Sequence, residues 1–183
     1  MHPLSKGFYL GSIIGASILA MVLLSIGFIV AQDQDESAMA FLCAGYLPLI
    51  YTVVIVCVLL YKAWSAIQDG AVRTTPGKAV GFMFIPLFNI YWQFQALWGL
   101  AKDYNAYGAQ KGLSLPRLPE GLALTMCILT LLAWIPFLGI VIALVNFVIT
   151  IIFWNAVIDG YNALAASRAE GAPASEEAPP PIA

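Results

Sequence analysis

Apolar residues dominate four long runs of this chain, and the charged residues lie outside them. The runs cover residues 8–31, 38–61, 79–101 and 121–158, and none of them contains Asp, Glu, Lys or Arg. A bilayer core of about 30 Å requires about 20 helical residues. Each of the first three runs is therefore long enough to cross a membrane once as a helix.

The fourth run is too long for a single crossing. As one straight helix it would extend about 57 Å, nearly twice the thickness of a bilayer core. Trp134, Pro136 and Gly139 lie near its middle, and proline interrupts a helix because it lacks a backbone donor. We expect two helices, at residues 121–135 and 138–160, that form a tight hairpin.

The third run contains a signal for a break. Pro86 removes a backbone donor and disfavours helical geometry at Ile85, and Asn89 follows three residues later. The run can therefore either cross the membrane or enter it and return at Pro86. Irregular backbone at membrane depth must be buried in protein or line a wet cavity, so a re-entrant segment would be a candidate pore or binding element.

These patterns predict an all-α integral membrane helix bundle with four full crossings plus one re-entrant or crossing segment broken at Pro86. The predicted membrane domain covers residues 1–162, with helices at about 8–31, 38–64, 79–101, 121–135 and 138–160. Residues 163–183 are rich in Ala, Pro and Glu, a composition that cannot bury a core, and they are predicted to be a disordered tail. A plain bundle of four crossings is the main alternative.

Composition agrees with a membrane protein. The chain is 61% hydrophobic and only 10% charged, whereas soluble domains carry about 25% charged residues. The net charge of −2 comes with no basic block, so nucleic acid is not an expected partner. Gly11-x-x-x-Gly15 in the first run permits close helix–helix approach.

The positions of the eight Lys and Arg residues bear on orientation, because short cytoplasmic loops are enriched in both. If the third run crosses and the fourth is a hairpin, four basic residues lie on each side. If the third run is re-entrant, all eight lie on one side. We prefer the second arrangement, which puts the N-terminus and the C-terminal tail in the cytoplasm.

A spacing repeat occurs three times. Apolar stretches that carry a proline end in Trp-x-x-x-x-Asp, at Trp64 and Asp69, Trp98 and Asp103, and Trp154 and Asp159. The simpler interpretation is repeated helix-exit chemistry, with Trp at headgroup level and Asp-Gly as a helix stop at 69–70 and 159–160. The alternative is a cytoplasmic ring of three carboxylates, Asp69, Asp103 and Asp159, of the kind that cation pathways use.

Amide side chains are the other polar groups in or near the apolar runs: Asn89, Gln93, Gln95, Asn146 and Asn155. Such residues usually bond across helices inside a bundle. The alternative is a substrate or ion path lined by Asn89, Gln93 and Asn146.

The residue inventory does not suggest an enzyme. The single histidine, His2, lies next to the N-terminus, and Cys43, Cys57 and Cys127 lack the spacing of metal ligands. We therefore expect no catalytic residues, no metal site and no cofactor.

One stretch resembles a known family. Residues 76–92, which read PGKAVGFMFIPLFNIYW, and residues 99–105, GLAKDYN, resemble the signature of an uncharacterised bacterial integral-membrane family, a domain of unknown function. The resemblance implies a multi-pass protein of the bacterial cytoplasmic (inner) membrane and carries no activity. It marks Pro86, Asn89, Tyr91, Trp92 and Gln93 as the candidate functional segment.

The leading function hypothesis is a non-enzymatic membrane module, a scaffold or accessory subunit. Its expected partners are the lipid bilayer and either a second copy or another membrane protein, with the prolines at 179–181 as a polyproline ligand. The alternative is a small oligomeric channel or transporter that uses the 79–101 segment.

Overall fold

The structure, a computed structural model, describes residues 2–32, 36–135 and 138–170. Within these ranges the regular structure is helical, and no strand occurs. The helices are α1 (Lys6–Gln32), α2 (Ser37–Ala66), α3 (Pro76–Gly81), α4 (Phe88–Gln93), α5 (Gly99–Gln110), α6 (Glu120–Leu132) and α7 (Gly139–Glu170). A 3₁₀ turn (Phe82–Phe84) continues α3, and a π-helical turn (Phe94–Trp98) joins α4 to α5.

Three of these helices, α1, α2 and α7, are long and apolar enough to cross a membrane. The sequence analysis predicted four full crossings plus a fifth segment, and that number is too high for the helices described here. The difference lies in α6, which has 13 residues and extends only about 20 Å. It ends at Leu132 because the chain turns there towards α7.

The predicted segment at 79–101 is a helical hairpin broken at Pro86 and not one continuous helix. α3 and its 3₁₀ turn lead outward, while α4, the π-helical turn and α5 lead back. The indole N–H of Trp92 donates to the carbonyl oxygen of Ala79 across the two arms, at 3.1 Å. Arg73, just before α3, forms an ion pair of 2.7 Å with Asp103, in the first half of α5. The segment therefore returns to the end of the molecule at which it starts.

The hairpin reverses at Ile85, Pro86 and Leu87, where the sequence predicted the break. Ile85 is extended (φ −85°, ψ 113°), as expected for a residue before proline. Leu87 has φ 63° and ψ −44°, and the Phe88 N–H donates to the Pro86 carbonyl oxygen at 2.7 Å. This geometry is a γ-turn of the positive-φ form, a strained conformation for a residue with a branched side chain.

α1 and α2 pack against each other through two glycines far from their Gly11-x-x-x-Gly15 stretch. A Cβ built on Gly27 would lie 2.9 Å from the Leu42 side chain, and one on Gly45 would lie 2.8 Å from Leu24. Gly11 and Gly15 have nothing within 4 Å. The close approach predicted for Gly11 and Gly15 is therefore found at Gly27 and Gly45.

Some predicted boundaries differ from the structure. The predicted domain ends at residue 162 and the predicted tail begins at 163, but α7 continues without interruption to Glu170. The rest of the predicted tail, residues 171–183 with their prolines, lies outside the described residues. Pro136 also lies outside them.

Candidate functional site

The polar side chains meet at one end of the bundle, which we call the basic end. Contacts join the start of α1, the end of α2, the chain around the start of α6 and the last third of α7. Lys6 pairs with Asp159, and Arg168 donates to the carbonyl oxygen of Ala66 at 2.6 Å and to the Tyr107 hydroxyl at 2.9 Å. The basic end is thus held together by side chains from segments far apart in sequence.

Two asparagines make the same pair of hydrogen bonds at this end. Asn162 Oδ1 accepts from the Leu4 backbone N–H at 2.6 Å, and its Nδ2 donates to the Leu4 carbonyl oxygen at 3.0 Å. Asn105 binds Leu118 in the same way, at 2.8 and 2.9 Å. Each leucine is buried and lies two residues before a helix. We call these two arrangements the asparagine clamps.

The clamps follow the second and third copies of the Trp-x-x-x-x-Asp repeat. Asn105 comes seven residues after Trp98, and Asn162 comes eight after Trp154. The first copy, at Trp64, has no such asparagine, and the Gln68 amide instead donates to the Thr74 carbonyl oxygen at 3.2 Å. The repeated sequence thus corresponds to a repeated tie between a helix and the chain that enters another helix.

The three aspartates of the predicted carboxylate ring have different partners. Asp103 accepts from Arg73 Nε and Nη2 and from the Arg73 backbone N–H, within 2.7–3.1 Å. Asp159 accepts from Lys6 Nζ at 2.9 Å. Asp69 accepts from the backbone N–H of Ala71. Asp69 and Asp103 line one small pocket of about 40 Å³, and Asp159 is not among the residues that line it.

Two of the repeat's tryptophans lie in the core of the bundle. Trp64 is fully buried and its indole donates to the Ala96 carbonyl oxygen at 3.0 Å. Trp154 is buried as well. The predicted helix stop at Asp159-Gly160 is also wrong, because α7 passes through both residues. Gly160 is needed there for packing against Tyr104, whose ring would lie 2.9 Å from an added Cβ.

Tyr104 connects α5 to α7 at the basic end. Its hydroxyl donates to the carbonyl oxygen of Gly160 at 2.9 Å, in a buried position. Burial raises the pKa of Tyr104 to about 12, because the ionised phenolate would be poorly solvated there.

A chain of hydrogen bonds runs from the returning arm of the hairpin to its closing ion pair. The Gln95 amide donates to the Tyr91 hydroxyl at 2.9 Å, and Arg73 Nη1 donates to Gln95 Oε1 at 3.4 Å. Arg73 in turn binds Asp103. Among the candidate residues, Tyr91 is thus tied to the base of the hairpin.

The other candidate residues have different partners, and among them Trp92 holds the two arms together. Trp92 stacks on Phe88 and meets Phe82 edge to face, at ring-centroid distances of 5.5 and 4.8 Å. Gln93 is buried, and its backbone carbonyl accepts a weak hydrogen bond from the Cys127 thiol of α6. Pro86 lies at the tip.

Two asparagine side-chain oxygens are buried without a hydrogen-bond partner among the described residues: Asn89 Oδ1 and Asn146 Oδ1. The amide nitrogen of Asn146 donates to the Thr130 hydroxyl across the α6–α7 pair at 3.1 Å. Asn155 bonds within its own helix, to Asp159 at 3.4 Å. These hydrogen bonds join Asn146 and Asn155 to other groups and not to one another, and a path lined by Asn89, Gln93 and Asn146 stays a prediction.

Sequence reasoning missed several residues that organise the basic end: Arg73, Tyr104, Asn105, Asn162 and Arg168. A signal for three of them was present in the repeated Tyr-Asn-Ala at 104–106 and 161–163. Arg73 and Arg168 lie in ordinary polar segments, and their partners are 30 and 102 residues away. Such pairings depend on the three-dimensional fold, so no local pattern predicts them.

Comparisons with known proteins do not assign this chain to a family. The chain matches no family model, no curated protein and no solved structure. The resemblance of residues 76–105 to a bacterial membrane family therefore stays a prediction. Across residues 2–32, 36–135 and 138–170, no three His, Cys, Asp or Glu side chains are grouped so that they could hold a metal ion.

Proposed function

We propose that this protein is a non-enzymatic membrane module, a scaffold or accessory subunit. The observation that carries the proposal is the pairing of polar groups at the basic end. Asp103, Asp159, Asn105 and Asn162 each bind a group from a distant segment. These side chains are used to join segments of the chain to one another.

The proposed topology has α1, α2 and α7 as full crossings. α6 and the turn around Trp134 act as a shorter fourth crossing, since the Trp134 side chain is 85% exposed and tryptophan favours the membrane interface. α3 to α5 form a re-entrant hairpin, in which the outgoing arm (residues 76–84) and the returning arm up to the end of the π-helical turn (residues 88–98) extend about 13–16 Å. That length reaches about half of the bilayer core.

The orientation follows from the position of the basic residues. Lys6, Arg73, Lys111 and Arg168 have contacts at the basic end, and Arg117 lies beside Asn105. Short cytoplasmic segments are enriched in Lys and Arg, so we propose that the basic end, the N-terminus and the C-terminal tail face the cytoplasm. The resemblance described above supports the bacterial inner membrane as the location.

Cysteine accessibility tests this topology. Single cysteines replace Glu36, Gln110 and Ala166, all exposed, in a background that lacks Cys43, Cys57 and Cys127. We expect an impermeant maleimide to label position 36 in intact cells, and positions 110 and 166 only after permeabilisation. Labelling of position 110 in intact cells would contradict the re-entrant hairpin.

A scaffold role has its own test, which is capture of a membrane partner. The protein is cross-linked in native membranes with a photoreactive residue at Leu144, an exposed apolar position on α7. A discrete adduct with a second copy or with another membrane protein supports the scaffold. Adducts with lipid alone would contradict it.

A channel or transporter built on the hairpin is the second candidate. The specific observation in its favour is Asn89 Oδ1, a buried acceptor without a partner among the described residues, on the returning arm that also carries Gln93. The Asn89→Leu variant separates the two functions. A transporter would lose flux in proteoliposomes while its helix content stays unchanged, whereas a scaffold would show no flux in either form.

A further inference from the structure

An apolar groove runs between α2 and the outgoing arm of the hairpin. Its volume is about 600 Å³, within the range of small-molecule sites. Leu49, Val54 and Val58 form one wall, and Val80 and Phe84 form the other. Several of these side chains are half exposed, so the groove is open along its length.

A single charged side chain lines this groove, and it lies at one end. Lys62 is near the C-terminal end of α2, where α2 reaches the basic end. Its ammonium group donates to the Tyr9 hydroxyl at 3.0 Å. The aliphatic stem of Lys62 lines the end of the groove, and its ammonium group lies over the Tyr9 ring of α1 at 5.5 Å. The ammonium has no carboxylate counter-ion among the described residues.

The dimensions of the groove correspond to one leaflet of a bilayer. Leu49 and Lys62 are separated by about 20 Å along the helix, and half of a bilayer core is about 15 Å. Lysine placed beside the headgroups attracts anionic lipids. An apolar channel of this length that ends in a cation is complementary to an acyl chain that ends in a phosphate.

We propose that this groove binds the acyl chain of an anionic phospholipid, whose headgroup phosphate pairs with Lys62. The proposal rests on the membrane placement given under the proposed function, but it assigns a site that the scaffold role does not require. The bound lipid fills the space between α2 and α3 and supports the outgoing arm of the hairpin.

The lipids that the protein retains provide the test. Wild-type protein is reconstituted in vesicles of equal parts phosphatidylglycerol and phosphatidylcholine with matched acyl chains, extracted in mild detergent and weighed by native mass spectrometry. We expect phosphatidylglycerol to be retained about fivefold over phosphatidylcholine, the preference that a single lysine near headgroups provides. Equal retention of both lipids would overturn the proposal.

Two sets of variants separate the headgroup contact from the groove. Lys62→Gln should remove the preference for phosphatidylglycerol, while Lys62→Arg and Lys111→Gln keep it, because Lys111 does not line the groove. Val54→Trp should fill the groove and release lipid of either headgroup. Val148→Trp, at an equally exposed position on α7, should not.

Other results would be decisive against the site. Lipid retention unchanged by Val54→Trp would mean that the groove is not the site. A lipid-free dimer in the wild-type spectrum would mean that a second copy covers this surface. If either occurs while the cysteine-labelling pattern holds, this proposal fails and the proposed topology stands.

Discussion

At the residue scale, the polar side chains at the basic end act mainly as ties between distant segments. Asn162 and Asn105 each satisfy both backbone groups of a buried leucine. A buried backbone N–H or C=O group that loses its hydrogen-bond partner costs free energy. The two asparagines therefore stabilise the fold more than their partial exposure to solvent suggests. Composition alone cannot reveal this role, because any asparagine at the end of a helix could remain in solvent.

Replacing the clamp asparagines should destabilise the fold. Asn162→Ala removes two hydrogen bonds. Asn105→Ala removes three, because Asn105 Nδ2 also donates to Glu120 Oε1 at 2.8 Å. We expect each variant to lower the free energy of unfolding by about 1–3 kcal/mol. Asn155→Ala is the matched control, since its side chain makes a long hydrogen bond within α7. Thermal unfolding in detergent measures the three variants. Equal losses of stability in all three variants would show that the clamps stabilise the fold no more than the hydrogen bond of Asn155 does.

Stability should fall in alkaline solution because of Tyr104. The pKa of its phenol is 10.0 when unperturbed and about 12 in the fold, so the unfolded chain releases the proton first. The stabilisation that this group provides is complete below pH 10 and is lost as the pH rises towards 12. Unfolding midpoints across this alkaline range measure the loss. Tyr104→Phe should be less stable than wild type below the unperturbed pKa but have a shallower pH dependence above it.

At the element scale, the same sequence feature leads to different structures. Pro48 lies inside an uninterrupted α2, whereas Pro86 ends a helical arm and is followed by a γ-turn. The break at Pro86 was predictable because Ile85 and Asn89 reinforce it. A return of the chain was favoured by the positions of the basic residues. The contacts that hold the two arms, the Arg73–Asp103 ion pair and the Trp92 hydrogen bond, were not predictable, because they depend on the fold.

Glycine at position 87 should relieve the backbone strain of the γ-turn at the tip of the hairpin. Leu87 has a positive φ, which costs about 1–3 kcal/mol for a residue of this kind, and its side chain is 83% exposed. We expect Leu87→Gly to be more stable than Leu87→Ala, because both remove the same side chain but only glycine accepts this φ. The unfolding midpoints of the two variants measure this difference. A lower midpoint for Leu87→Gly than for Leu87→Ala would contradict the presence of backbone strain at position 87.

Packing of α5 on α7 should depend on the absence of a side chain at Gly160. A Cβ there would approach the Tyr104 ring and the Leu118 side chain, so Gly160→Ala should destabilise by about 1–3 kcal/mol. Gly121→Ala is the control, because nothing lies within 4 Å of its added Cβ. Thermal unfolding compares the two. A Gly160→Ala protein as stable as its control would show that the contact relaxes without cost.

At the scale of the whole molecule, the helical class and the positions of the apolar segments were predictable from the sequence. Uncharged runs long enough to span a bilayer indicate membrane helices whatever their partners are. The number of spanning helices was not predictable in the same way. α6 is apolar but ends after 13 residues, and the third run is divided between two arms.

The stability that the Arg73–Asp103 ion pair gives to the hairpin should depend on the two charges being opposite. Arg73→Asp or Asp103→Arg alone places like charges in a partly buried contact, and we expect each to lower stability by about 2–4 kcal/mol. The double variant restores opposite charges and should recover about half of that loss. Thermal unfolding of all four proteins forms a double-mutant cycle. Additive losses would mean that the pair does not close the hairpin.

The bond between Leu4 and Asn162 has a consequence for biosynthesis. The two residues are 158 positions apart, so nearly the whole described chain must leave the ribosome before the start of α1 acquires its final neighbour. At about 5–20 residues per second, that interval is roughly 8–30 s. During this time α1 can be held only by α2, which makes the glycine contacts at Gly27 and Gly45 the earliest anchor of the nascent protein.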